Sequence, residues 1–140
     1  MFKFYPKDPT IRLLEYLSNK IIPKATGGTI EFTGDSVLHV FTSSGTFEIT
    51  DESLTSVDYL VIAGGGTGGL NCGGGGGAGG FITGTLPVSP SPGSYSIVVG
   101  AGGARTPKGT VGGPGSDSSF SSITASGGGG GASSGPSPEI

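Results

Sequence analysis

Ala63 to Phe81 reads AGGGTGGLNCGGGGGAGGF, with 12 glycines between one apolar run (Val57, Tyr59, Leu60, Val61, Ile62) and another (Phe81, Ile82). Ordering a glycine inside an element costs roughly 0.5–1 kcal/mol more than ordering an alanine, so an ordered stretch of this kind costs on the order of 6–12 kcal/mol. That rivals the whole stability of a typical domain, about 5–15 kcal/mol. The stretch is therefore a flexible linker or a backbone packed closely enough to recover the loss. Two further units favour packing: Tyr95 to Val99 runs into Gly100 to Gly103, and Ser122 to Ala125 runs towards Gly127 to Gly131. The runs are unequally spaced, which excludes a solenoid of fixed period. The pattern predicts one domain whose strands all hand over to glycine at one end.

Composition narrows the function classes. Of 140 residues 31 are glycine, against about 10 at the usual ~7%, so a conventional core is thin. Charged residues make up 12% and the net charge is −3, which offers no positive surface for a nucleic-acid backbone. The start of the chain lacks the pattern of a secretory signal, and no stretch approaches the ~20 apolar residues needed to cross a bilayer. The expectation is a soluble chain made in the cytoplasm, with neither nucleic acid nor membrane insertion. Cys72 is the sole cysteine. It excludes an internal disulfide and reads as a bystander.

Residues 1–24 differ from the rest and are expected to form an anchor segment ahead of a glycine-rich β domain over 25–140. Asp8 caps a helix that Pro9 opens. Ile11, Leu13, Leu14 and Leu17 cluster on one side of it, and Arg12, Glu15 and Asn19 face away. A helix over Pro9 to Asn19 is shorter than the ~12–15 residues at which isolated helices become marginal, so its apolar side needs a surface. Either it covers its own domain or it docks on another subunit or a larger assembly, with Phe2, Phe4 and Tyr5 as further anchors. The hinge-like stretch Pro23 to Gly28 favours docking.

From Thr29 onward the signals are short strands and turns. Strands are expected at Thr29–Phe32, Val37–Phe41, Thr46–Ile49, Val57–Ala63, Phe81–Leu86, Tyr95–Val99 and Ser122–Ala125. The most apolar, Val57–Ala63, is expected in the middle of a sheet. The fold class is mainly β, an antiparallel β-sandwich or barrel with glycine-rich runs behind one short N-terminal α-helix.

No motif carries enzyme chemistry. Gly64, Gly66 and Gly69 satisfy G-x-G-x-x-G after a strand, but the helix that a dinucleotide site requires cannot form over Leu70 to Gly80. No glycine run ends in the Gly-Lys-Ser/Thr of a P-loop. His39 is the only histidine, so neither a histidine-rich metal site nor a serine nucleophile with a histidine base is available; it reads as a packed or half-exposed strand residue. Asp35, Asp51, Glu52, Asp58 and Asp117 read as turn formers and surface charge. No catalytic residue, cofactor or metal is expected.

Ala25–Ile30, Leu38–Phe47, Val57–Gly66, Gly73–Phe81, Pro92–Gly103 and Gly115–Phe120, taken in that order, resemble the glycine-rich domain of bacteriophage tail fibres. The likeness covers Ala25 to Gly131. It implies a virion protein near the tip of a fibre or appendage, involved in host attachment, with other virion proteins as partners and a host cell-surface glycan or protein as a target. It also suggests that the runs adopt polyglycine II, left-handed with three residues per turn, each N–H bonding laterally. Loops at Thr67 to Cys72 and Arg105 to Lys108 are then held out as contact surfaces, which singles out Thr67, Leu70, Asn71, Arg105, Thr106 and Lys108. The chain lacks a long shaft and stops at Ile140 soon after the third run. These departures keep a capsid or tail decoration protein open, and a free carbohydrate- or ice-binding module is the alternative of another class. A homo-oligomer is expected, a trimer by analogy with fibres. Within the packed-glycine picture, Gly75→Val is expected to be severe.

Overall fold

The computed structural model describes residues 22–91 and 93–134. The expected helix over Pro9 to Asn19 and the anchor residues Phe2, Phe4, Tyr5, Ile11, Leu13, Leu14 and Leu17 lie outside them.

The described chain is all strand and turn, in the order β1 (Ala25–Thr26), β2 (Thr29–Thr33), β3 (Ser36–Val40), β4 (Gly45–Ile49), β5 (Ser56–Ile62), β6 (Phe81–Pro87), β7 (Ser94–Val98), β8 (Ser118–Phe120) and β9 (Ile123–Ala125). Every strand pairing is antiparallel. One sheet has the order β1-β4-β7-β8-β9, while β2-β3 and β5-β6 form separate two-stranded ribbons. The sheets stay open and do not close into a barrel.

Alternation explains which faces meet. On β4, Phe47 and Ile49 are buried and their neighbours exposed, and Phe47 lies opposite Tyr95 of β7. Phe120 of β8 lies opposite Ile97 and gathers three rings edge-on, with centroids at 5.9 Å to Phe47, 6.0 Å to Tyr59 and 6.1 Å to Tyr95. Such edge-to-face pairs contribute about 0.5–1.5 kcal/mol beyond their burial. Tyr59 reaches that cluster from β5. His39 reaches it from β3, 5.1 Å from Phe47, with Nδ1 2.9 Å from the Gly27 carbonyl oxygen. Both ribbons therefore lie over one face of the five-stranded sheet. Two-residue turns close the hairpins, Gly34-Asp35 between Thr33 and Ser36 with Gly34 at φ 58°, and Ser121-Ser122 between Phe120 and Ile123.

The structure corrects the placement of β5. It pairs with β6 alone, so it is no central strand. Its inward residues Val57, Tyr59 and Val61 pack on the core, whereas Leu60 and Ile62 point outward at 55% and 57% exposure. A near-continuous apolar run has two causes here, one face for the core and one face left open.

Candidate functional site

Beyond the strands the chain makes five extended glycine-rich runs, at residues 63–69, 73–80, 100–104, 112–116 and 126–132. The first leaves β5 and the second returns to β6; the third leaves β7 and the fourth returns to β8; the fifth leaves β9. The strands thus hand over to glycine at one end, as the sequence pattern requires.

The runs bond sideways at every third residue. Between the first two, the N–H groups of Ala63, Gly66 and Gly69 donate to the carbonyls of Gly80, Gly77 and Gly74, each at 2.9 Å. From the second to the fifth, Gly74, Gly77 and Gly80 donate to Ala132, Gly129 and Ser126 at 2.8, 2.8 and 2.7 Å. Gly112 and Gly115 donate to Gly131 and Gly128 at 2.8 Å, while Gly128 and Gly131 donate to Gly64 and Thr67 at 2.9 and 2.8 Å. A period of three towards each neighbour is the repeat of polyglycine II. Different residues of a run face different neighbours, so backbone groups that burial would orphan find partners in a bundle.

This packing sets where a side chain fits. A Cβ on Gly73, Gly76 or Gly79 would overlap the carbonyl of Gly69, Gly66 or Ala63 respectively, whereas one on Gly75 meets nothing within 4 Å. Gly75 is in the same row as Ala78. Likewise Gly129, also open, shares its row with Ser126 and Ala132. In these two runs the residues other than glycine, Ala78, Ser126 and Ala132, fall on these outward rows. The glycines with positive φ among the described residues are Gly27, Gly28, Gly34, Gly93 and Gly109, none of them in a run. The runs therefore require glycine for space, and the expected severity of Gly75→Val is overturned; Gly76 is the position that closes against a neighbour.

Two loops end the bundle. At Leu70-Asn71-Cys72 the chain reverses through left-handed φ values of 67° at Asn71 and 58° at Cys72, a region that asparagine enters more readily than most residues. The Ser133 hydroxyl donates to the Leu70 carbonyl at 2.7 Å and the Ser134 hydroxyl to that of Asn71, so the end of the fifth run holds this loop. At the other loop Arg105 and Lys108 are exposed, the Thr106 hydroxyl is buried without a partner, and the Thr110 hydroxyl donates to the Pro107 carbonyl at 2.6 Å.

Of the six expected contact residues, Leu70, Asn71, Arg105, Thr106 and Lys108 lie on these loops. Thr67 does not. Its hydroxyl accepts the Gly113 N–H at 2.8 Å and lies 3.1 Å from the Ala104 carbonyl oxygen, which makes it a tie between runs. A period of three in the residues that are not glycine would have marked this row division in the sequence. The carboxylates act locally: Asp58 accepts from the Thr85 hydroxyl at 2.6 Å, and Asp117 from the Gly127 N–H at 2.8 Å. The Ser53 hydroxyl, and then its backbone N–H, hold the Asp51 carboxyl below the ordinary aspartate value. No group of three metal-ligating side chains occurs among the described residues.

Residues 42–139 match a family described as a glycine-rich domain. No curated protein and no solved structure matches the chain.

Proposed function

The chain belongs to the glycine-rich domain family, and from the resemblance of its order of strands and glycine runs to the glycine-rich domain of bacteriophage tail fibres we propose that it is a bacteriophage virion structural protein, a surface-exposed tail-fibre or appendage component that takes part in host attachment. The observation that supports this reading is the bundle with its two loops at one end. A backbone bonded at every third residue holds short loops rigidly without a large core, and loops on a rigid support are where contact residues concentrate. Leu70, Asn71, Arg105, Thr106 and Lys108 are the contact candidates, and Arg105 and Lys108 suit a host glycan or protein that carries negative charge.

The opposite end is the one turned towards the particle. The described chain begins there, at Ile22, beside the turn that follows β4. Other virion proteins are the partners, the protein assembles as a homo-oligomer, a trimer, and no catalysis, nucleic acid or membrane insertion belongs to its role.

Immunogold labelling of intact particles with an antibody against this chain tests the reading. Label at fibre or appendage tips is expected, together with loss of host adsorption in Arg105→Glu/Lys108→Glu particles. Label over the capsid shell would replace attachment by decoration. Particles without label would end the virion reading and leave a free carbohydrate- or ice-binding module.

A further inference from the structure

Between the two ribbons the fold leaves an apolar groove of about 450 Å³. β3 forms one wall and β5 the other, each along the edge that has no strand partner, and Phe47, Ile97 and Phe120 form its floor. Leu38, Leu60, Ile62 and Val98 stand on its rim at 45–57% exposure. Apolar surface of this kind beside open strand edges is a contact site on a protein that stays soluble.

We infer that residues 1–21 of the same chain occupy this groove, seating Ile11, Leu13, Leu14 and Leu17 against it. Three observations on this chain support that occupant. The first is where the segment is tethered. The Thr50 and Asp51 N–H groups donate to the Lys24 carbonyl at 2.9 and 3.2 Å, which fixes the start of the described chain beside the turn leading into β5. Val57, at the start of β5, lines the groove. Ile22 is 69% exposed, so the chain enters from the surface and not from the core.

The second is length. A helix over Pro9 to Asn19, as the sequence pattern predicts it, would span about 16 Å, and the seven residues of β5 span about 23 Å. A segment of that length would fit along the wall without overrunning it. A tether this short also holds it at an effective concentration in the millimolar range, which no free partner approaches.

The third is charge. Residues 1–21 hold four of the seven Lys and Arg (Lys3, Lys7, Arg12, Lys20) against two of the ten acidic residues, giving +2, while the rest of the chain carries −5. Asp58 stands in the groove wall, and its carboxylate meets a segment of opposite sign.

Hydrogen exchange on the full-length chain tests this, with oligomeric state followed by light scattering. The amides of residues 10–19 should exchange at least about tenfold more slowly than in an unstructured chain, and equally so after tenfold dilution. In Leu60→Asp that slowing should be lost while the β4 amides of Phe47 and Ile49 keep theirs. Should Leu60→Asp disturb β4 as well, Leu17→Asp is the second variant, expected to free the segment and to raise binding of an apolar dye. Random-coil exchange at residues 10–19, or protection unchanged in both variants, overturns the inference. Protection that fades on dilution also overturns it, in favour of a second copy's segment in the groove.

Discussion

The Gly77 N–H donates to the Gly129 carbonyl at 2.8 Å, and a Cβ on the preceding residue of that run, Gly128, would overlap the Gly77 carbonyl. Adjacent residues of one run thus divide the work, one exposing its Cα to solvent and the next pressing backbone on backbone.

Gly75 and Gly76 should separate when each is replaced by alanine. Gly76→Ala forces a methyl group into the Gly66 carbonyl and should cost about 1–3 kcal/mol, as overpacking does. Gly75→Ala meets open space and should be neutral or stabilise by about 0.4–1 kcal/mol through the unfolded chain. Denaturant unfolding of both variants checks this. Equal losses would mean that the runs are not packed in the register described.

Thr67→Val keeps the shape and deletes the hydroxyl that the Gly113 N–H donates to. Gly113 is buried, so its N–H loses a partner where water cannot readily replace it, at about 1–3 kcal/mol. Thr67→Ser should retain most of the stability. A Thr67→Val protein as stable as the parent would show that the tie between the runs is idle.

Much of this was legible in the sequence. Strands such as Val37–Phe41 and Phe81–Leu86 announce themselves by alternation and bounding turns, and appear within two residues of where they are expected. β1 and β8 do not, because two residues (Ala25, Thr26) and three (Ser118, Ser119, Phe120) are too few to show a period. β5 was misplaced because a strand with one face on a core and one face open reads like a strand buried on both sides. The packing of the glycine runs was legible from their cost together with the recurrence of a strand followed by a run; which glycines face a neighbour was not, since identical residues carry no periodicity and only Ala78, Ser126 and Ala132 mark the outward rows.

Phe120→Leu tests the small core. Phe120 touches Phe47, Tyr59 and Tyr95 at once and joins the β5–β6 ribbon to the sheet. The loss of three edge-on ring pairs, at about 0.5–1.5 kcal/mol each, should lower the thermal midpoint by several degrees. A shift below one degree would place the cohesion of the fold outside this cluster.

Asp51 gives a pH signature. Its folded value is lowered by the hydrogen bonds from Ser53, so it contributes stability above the unfolded aspartate value of about 3.9, and loses it as pH falls through the lower folded value. The stability difference between the parent and Asp51→Ala should be present at pH 6 and shrink below pH 4. A difference that is constant down to pH 2 would mean that the carboxylate charge plays no part in that turn.

The lateral bonding makes the sharpest prediction, because it assigns a different fate to residues of identical chemistry. In the 73–80 run, Gly74, Gly77 and Gly80 donate their N–H groups to the neighbouring run, while Gly75 and Gly76 make no such bond among the described residues. Protection from hydrogen exchange follows donation, since an amide exchanges when its bond opens. The slow amides should therefore recur at intervals of three along the run, with fast ones between. A β-strand would instead alternate at an interval of two, and a flexible linker would exchange throughout at the random-coil rate. Residue-resolved exchange by NMR, with glycine amides assigned individually, distinguishes all three. Uniform exchange across Gly74 to Gly80 would remove the bundle, and with it the rigid support that the loop at Leu70-Asn71-Cys72 needs in order to present a fixed surface.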